Sequence, residues 1–499
     1  MKHFSEFLKD KALFNEHFMI LGKGPSISKV DTLNYKGMTI SLNHVVRDHK
    51  VDISHIIDLD VVEDLGGLIE TNADYLLMPL YPHIDSKPTN KGLLDIIPEM
   101  PVLKRLYDED RLLWYNLSTK RFVRNSYPIY PAGFFSGDSV IGMLASAGIS
   151  NVTMAGVDGG GQYSEGYSDL NQKTLFKNGR KSFDIQFSNI RQYIMKNDLN
   201  FNHINDEHPI KVYIASTEAQ MLATKVLEYS IRARTKSQVE VVALHTLGID
   251  YADPECIENR QRTPFSFQRF LIPEICDFQG KAIYLDSDMQ VFDDIKKLWT
   301  LPMGDKSLLA VKSKKGEGRK PHFSVMLIDC YRNKWSINSI VNSLNNGDFS
   351  YSELMDGMVV SDSISAEIPS IWNSLELYEK NKTKLIHYTD MKTQPWVSTK
   401  NPYESIWVEE LINAVADGFI SLSYLREHME KGWIRPSLLD QVQLKVPCSK
   451  DLPRDIKSKD RGYKPPYEEL ICGYSSVSSS KAITLIVKLK KLFRYFVRD

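Results

Sequence analysis

The stretch KAIYLDSDMQVFDD, Lys281 to Asp294, is an apolar run that stops abruptly at two aspartates one residue apart. In extended backbone the side chains at i and i+2 point to the same side, so Asp286 and Asp288 converge on one point. Convergent carboxylates repel each other unless something positive sits between them. A D-x-D pair alone is common and reads as a turn or a helix cap. Here the apolar KAIYL predicts a strand, and α/β sheets place ligand crevices at the carboxyl ends of their strands. Two carboxylates there suit a hard divalent cation such as Mg2+ or Mn2+, which takes oxygen ligands and shares its coordination with phosphates. A third ligand is offered by KLIHYTDMKTQPW, where His387 follows an apolar strand and precedes a polar loop closed by Pro395 and Trp396.

Working outward, 499 residues are too many for one core, and roughly 150 residues per domain predicts two or three domains. Hydrophobic residues make up 42% and charged residues 25%, as in an ordinary globular protein. A formal net charge of -1 argues against a general nucleic-acid binder. Cys256, Cys276, Cys330, Cys448 and Cys472 lack C-x-x-C spacing, which fits a reducing compartment and supports neither a disulfide framework nor a zinc site. The opening MKHFSEFLKDKALFNEHF carries acidic residues and no long apolar core, so it does not read as a secretory signal. No apolar run is long enough to span a bilayer, and the expected location is the cytoplasm.

Two α/β patterns follow one another. The first runs from HFMILGKGPSIS through MTISLNHVV, ISHIIDLDVV and ADYLLMPLY to FFSGDSVIGMLASAGISNVTMAGVDGGG, with short apolar runs alternating with helical periodicity. The polar, Asn-rich NDLNFNHINDEHPI reads as a boundary. A fresh strand, KVYIAS, then opens a second series through the helical EAQMLATKVLEYSIRART, the strand VEVVALHTL, the helical PFSFQRFLIPEIC and the strands KAIYL and FSVMLIDC. The expected architecture is two Rossmann-like α/β domains in tandem, residues 1–207 and 208–445. Residues 446–499 are expected to form a linker and a tail. That tail ends in KAITLIVKLKKLFRYFVRD, a basic amphipathic helix by its pattern, and 481–499 is expected to touch an anionic membrane surface peripherally.

Six ordered segments carry a resemblance over about residues 210–440: VYIASTEAQ, TPFSFQRFLIPEI, AIYLDSDMQVFDDIKKLW, HFSVMLIDC, EIPSIWNSLE and IHYTDMKTQPW. They resemble the retaining GT-A glycosyltransferases of family 8, the glycogenin and lipopolysaccharide galactosyltransferase type. The resemblance implies a GT-A fold, a nucleotide-sugar donor such as a UDP-hexose, and transfer with retention over Mn2+ or Mg2+ held by Asp286, Asp288 and His387. It implies that Val212, Tyr213, Ile214, Ala215 and Ser216 line the nucleoside pocket and that Arg269 and Ser287 meet the donor. By the resemblance Lys392 is expected to stand in for the family's diphosphate lysine and Gln394 to contact the donor. The family's H-x-x-G-x-x-K-P-W is altered here: the spacing from His387 to Pro395 is one residue longer, and Gln394 precedes the Pro-Trp. Its D-Q-D segment is altered too, with Met355 before Asp356 in SELMDGMVV. Asp356 and Asp288 are the expected catalytic groups. The basic, glycine-containing loop Lys312–Phe323 reads as a solvated loop or as a cover for the diphosphate.

In the first domain Gly22, Gly24, Pro25 and Ser26 follow a strand, where backbone amides can approach a phosphate. Asn43, Ser136 and Gly137 of the SGDS turn, and Asp158 stand at other predicted strand ends. In that order they resemble the Rossmann-type domain of bacterial family 42 sialyltransferase-like and motility-associated-factor proteins, over about residues 18–165. The resemblance implies a CMP-linked acidic sugar and a second transferase, but no histidine matches that family's general base. The leading expectation is a glycosyltransferase that builds a bacterial surface polysaccharide or lipid-linked glycan. The alternatives are a nucleotide-sugar hydrolase or phosphotransferase, or a scaffold that binds glycans or nucleotides without catalysis.

Overall fold

The run FMIL, Phe18–Leu21, is apolar on both faces, the pattern of a parallel strand covered by helices on either side. The structure, a computed structural model, describes residues 1–32, 34–118, 126–131, 133–170, 182–313 and 321–466. The basic tail at 481–499 and residues 314–320 of the basic loop lie outside them. The chain divides into two compact units. The first comprises Met1–His208, Lys296–Leu309 and Ser363–Ile368; the second comprises Pro209–Ile295, Ala310–Asp362 and Pro369–Asp499.

The first unit contains β1 (Lys2–His3), β2 (His17–Leu21), β3 (Met38–Leu42), β4 (Val51–His55), β5 (Ala73–Pro79), the hairpin β6 (His83–Ile84) and β7 (Lys87–Pro88), β8 (Leu112–Leu117), β9 (Ile129–Tyr130), β10 (Asn151–Ala155) and β11 (Asn200–His203). Its main sheet is ordered β1-β8-β5-β4-β3-β2-β10-β11, with β9 beside β8, and every pair in it is parallel. The order turns back at β2, which lies between β3 and β10; such switch points open a crevice at the carboxyl ends of the strands. The Asn-rich segment expected to be a boundary holds edge strand β11, which pairs with β10 through Asn151 to Met154. The SGDS segment is not a turn but the first turn of the helix Ser136–Ser146. Its Asp138 accepts from the Phe134 and Phe135 amides and so starts the helix.

Strands β12 (Ile210–Ala215), β13 (Val239–Ala243), β14 (Lys281–Asp286), β15 (Met289–Val291), β16 (Leu308–Val311), β17 (His322–Asp329), β18 (Ile364–Ile368), β19 (Ser374–Leu375) and β20 (Leu385–His387) follow. A mixed sheet runs β13-β12-β14-β17-β16-β18, and a small sheet runs β15-β20-β19. Strand β14 is parallel to β12 and antiparallel to β17. The α/β class expected of both series holds. The PFSFQRFLIPEIC segment, expected to be a helix, is a 3-10 turn, Gln268–Leu271, and one α turn, Ile272–Ile275. Past Gln443 the chain does not simply trail as a linker, because Asp460 accepts from the amide and hydroxyl of Ser437. Nearby, Arg435 is fully buried and is held by Glu404, Gln441 and Ser437. A buried guanidinium must be paired, and Glu404 supplies the counter-charge at 2.9 Å.

Gly22 and Gly156 set the spacing of the loops after β2 and β10. A Cβ on Gly156 would lie 2.1 Å from the Gly22 carbonyl oxygen, and Gly156 has φ +68. Gly156→Ala is expected to destabilise the first unit by about 2–4 kcal/mol. Gly166→Ala is expected to be nearly neutral, since nothing lies within 4 Å of its Cβ position. Urea unfolding of both variants checks this.

Candidate active site

The register of two short strands assembles the site. Strand β14 ends at Asp286, and Ser287 and Asp288 form a bend before β15 resumes. The two carboxylates are therefore brought together by a bend, not by an unbroken pleat. Strand β15 pairs antiparallel with β20, placing Met289 opposite His387, and the Tyr388 amide donates to the Asp288 carbonyl at 2.8 Å. One ligand atom from each of Asp286, Asp288 and His387 lies within 4.8 Å of the others.

All three side chains are buried or nearly so, and their remaining contacts aim them. His387 Nδ1 lies 3.0 Å from Asn373 Oδ1, an acceptor, which fixes the proton on Nδ1 and leaves Nε2 facing the aspartates. Nε2 is 3.0 Å from Asp288 Oδ1 and 3.9 Å from Asp286 Oδ2. Gln394, fully buried, donates from Nε2 to Asp288 Oδ2 at 3.0 Å and to the Tyr388 carbonyl at 2.9 Å. Asp288 Oδ1 is buried without a hydrogen bond, as is the Ser287 hydroxyl. On Asp286, Oδ1 accepts from Tyr284 at 2.5 Å and lies 3.5 Å from an Arg269 guanidinium nitrogen. Arg269 is itself held by the Ser266 and Phe323 carbonyls and stacks over Tyr284.

Burial raises the pKa of Asp286, against the opposing pull of Arg269 and then His387. Burial also opposes charge on His387, but Asp288 and then Asp286 outweigh it and the pKa lies above the ordinary histidine value. The site thus asks for positive charge at its centre. Two carboxylates, one oriented imidazole and a carboxylate oxygen without a hydrogen bond fit a divalent cation.

The other expected donor residues fall into two groups. Val212, Tyr213, Ile214 and Ala215 are interior strand residues: Tyr213 turns its hydroxyl to Cys276 at 3.3 Å, and Ala215 is the cross-strand neighbour of Asp286. Ser216, at the strand end, is exchanged into an amide pair with Gln268, which accepts from its N–H and donates to its carbonyl, both at 3.0 Å. The Ser216 hydroxyl meets His245 Nδ1 at 3.0 Å. Lys392 is exposed, with its amide on Asp390, and Asp356 is exposed and accepts from Ser352, one turn earlier on its helix. Neither is brought to the Asp286–Asp288–His387 cluster by these contacts. Gln268, Asn373 and His245 were not singled out from the sequence; the first two sit inside the quoted SFQRF and SIWNSLE segments.

In the first unit a cavity of about 330 Å3 lies at the switch point. Gly22, Gly24, Asn43, Ser136, Gly137 and Asp158 all line it. Ser26 does not present its hydroxyl to a ligand: it donates to Asp158 Oδ1 at 2.5 Å and accepts from the Gly156 amide at 2.7 Å. Pro25 opens the same 3-10 turn. Asp158 also accepts from the Ser26 amide and faces His203, so its carboxylate closes the loop.

Residues 194–362 match the family model for glycosyl transferase family 8. The chain carries a glycosyltransferase domain. The matched segment contains Asp286 and Asp288 and stops before His387. The chain is 28% identical over 240 residues to "Protein CDI" of Arabidopsis thaliana, covering 42% of this chain and 89% of that protein. Among solved structures, the galactosyltransferase LgtC in complex with donor and acceptor sugar analogs is 13% identical, covers 40% of this chain and 95% of its own, and has a TM-score of 0.29. The glycosyltransferase GlyE of Streptococcus pneumoniae is 20% identical, with 40% and 60% covered and a TM-score of 0.30.

Asn373→Ala removes the group that orients His387. It is expected to weaken divalent-cation binding about 10–100-fold, measured by calorimetric titration with Mn2+ as the probe, with the overall fold retained by circular dichroism.

Proposed function

We propose that the second unit transfers a hexose, with retention, from a UDP-linked donor to a glycan or lipid-linked acceptor of a cell-surface polysaccharide. The observation that carries the reading is the buried Asp286–Asp288–His387 cluster inside a glycosyltransferase domain. A divalent cation, Mn2+ or Mg2+, held by these residues would offset the charge that grows on the leaving diphosphate. The chain's own residues prepare that place. Asn373 sets the histidine tautomer, Gln394 holds Asp288, and Arg269 with Tyr284 holds Asp286. Arg269 is buried and already paired, so it serves as a positioning residue for Asp286. Ser216 and His245, at the ends of β12 and β13, supply polar groups for the nucleoside edge. The exposed Asp356 supports a contact with the acceptor or sugar better than one with the metal ligands.

For the first unit, the cavity at the switch point supports a second nucleotide site, with a CMP-linked acidic sugar as the donor that the sequence resemblance implies.

Asp288→Ala is expected to lower Mn2+-dependent consumption of UDP-hexose by at least about 100-fold while the unfolding temperature is kept. Undiminished transfer refutes the metal site. Free sugar released at the same rate with and without acceptor indicates a hydrolase instead.

A further inference from the structure

The cavity of the first unit contains a buried cation that, among the described residues, no carboxylate bonds. Lys23 follows β2, lines the cavity and is only 8% exposed. Among the described residues its ammonium has no hydrogen bond or ion pair; its contact is the face of Tyr163, 4.3 Å from the ring centroid. Burial, with Arg47 nearby, lowers its pKa to about 8, against a smaller opposing pull from Asp169. Keeping an ammonium out of water without a bonded counter-charge is costly, so the site is organised for a negative group.

A second feature points the same way. The helix Ser136–Ser146 begins on this cavity, and both Ser136 and Gly137 line it. The preceding amides, Phe134 and Phe135, are used by Asp138. Those of Ser136 and Gly137 are first-turn donors without an intrahelical acceptor, and they stand at the positive end of the helix dipole. The cavity's own carboxylates are engaged elsewhere: Asp158 by Ser26 and His203, and Asp58 by the Ser86 amide at 3.0 Å. Phe134, Phe183 and Tyr163 give the cavity an aromatic wall.

We propose that this cavity binds a small organic phosphate, gripped between the Lys23 ammonium and the amides of Ser136 and Gly137, with its planar or apolar part against the aromatic wall. The proposal rests on the nucleotide-site reading of the first unit and names the residues that hold the phosphate. It is independent of the second unit's chemistry. The two sites are opposite in polarity, since Asp286 and Asp288 call for a cation and Lys23 for an anion.

Calorimetric titration of the full chain in EDTA, without divalent cation, tests it with CMP, cytidine and glucose 1-phosphate as probes. CMP is expected to bind about tenfold or more tightly than cytidine, and Lys23→Met to lose about that factor for CMP while leaving cytidine unchanged. Glucose 1-phosphate binding as well as CMP identifies a sugar phosphate as the ligand; CMP binding alone identifies a nucleotide. Ser136→Pro provides a second variant. Proline is accommodated at the first helical position, and the extended Phe135 before it suits a proline, so the helix is kept while one amide donor is lost. It is expected to weaken CMP severalfold. Asp288→Ala is expected to leave CMP binding unchanged, and Lys23→Met to leave Mn2+-dependent consumption of UDP-hexose unchanged. If CMP binds wild type and Lys23→Met equally, the phosphate grip is overturned and the nucleotide site stands. If no probe binds the wild type, both fall.

Discussion

The pairing of β15 with β20 is the constraint on which the second unit's chemistry depends. Asp288 and His387 are far apart in sequence, and only the antiparallel register that sets Met289 opposite His387 brings an imidazole to the aspartates. Both strands are short, so their hydrogen bonds alone do not hold that register firmly. Side chains behind them do. Gln290, fully buried, donates to Glu410 at 2.9 Å and accepts from the Tyr388 hydroxyl at 2.9 Å, while Arg234 pairs with the same Glu410. A one-residue slip would turn Gln290 away from these partners and leave buried polar groups unsatisfied, which costs more than the short ladder contributes.

That network explains why the departures from the family motif do not empty the site. Gln394 stands before the Pro-Trp, where a lysine is expected, yet its amide reaches Asp288 and the Tyr388 carbonyl. It supplies a neutral donor to Asp288 Oδ2 in place of a charged one. Trp396, two residues on, packs against Trp407 in the core beside it. The altered loop is therefore anchored on both sides of the substitution.

How much of this was legible in the sequence varies with the kind of signal. The three clustered residues, Asp286, Asp288 and His387, could be read because each stands at the end of an apolar run, and strand ends are where such runs place polar groups. The mechanism of their convergence could not, because the bend at Ser287 and Asp288 looks in sequence like continued alternation. Asn373, Gln268 and His245 carry no spacing signal: each acts through a partner distant in sequence, and an isolated polar residue in an apolar run is as readily a cap or a turn. The first unit shows the same limit. Its glycines and Asn43 were visible, but Asp158 looked like a ligand and serves to close the Gly22–Ser26 loop, while Lys23, within HFMILGKGPSIS, carries no sequence signal that marks it as buried.

Lys23 and Asp288 follow from one physical rule applied with opposite signs. A charged side chain at a strand end is stable in a folded chain when its neighbours satisfy it, and the neighbours here stop short in both cases. Around Asp288, Gln394 bonds Oδ2, while Oδ1 meets only the His387 imidazole, Nε2 at 3.0 Å. Around Lys23 they leave the ammonium facing an aromatic ring. A core built only for stability would have completed both sets of partners, since replacing a buried charge by an apolar group of similar size is often neutral or better. An unfinished coordination sphere at a strand end is therefore better explained by a ligand that completes it. The sign of the charge left over states what kind of ligand: a cation between Asp286 and Asp288, an anion beside Lys23.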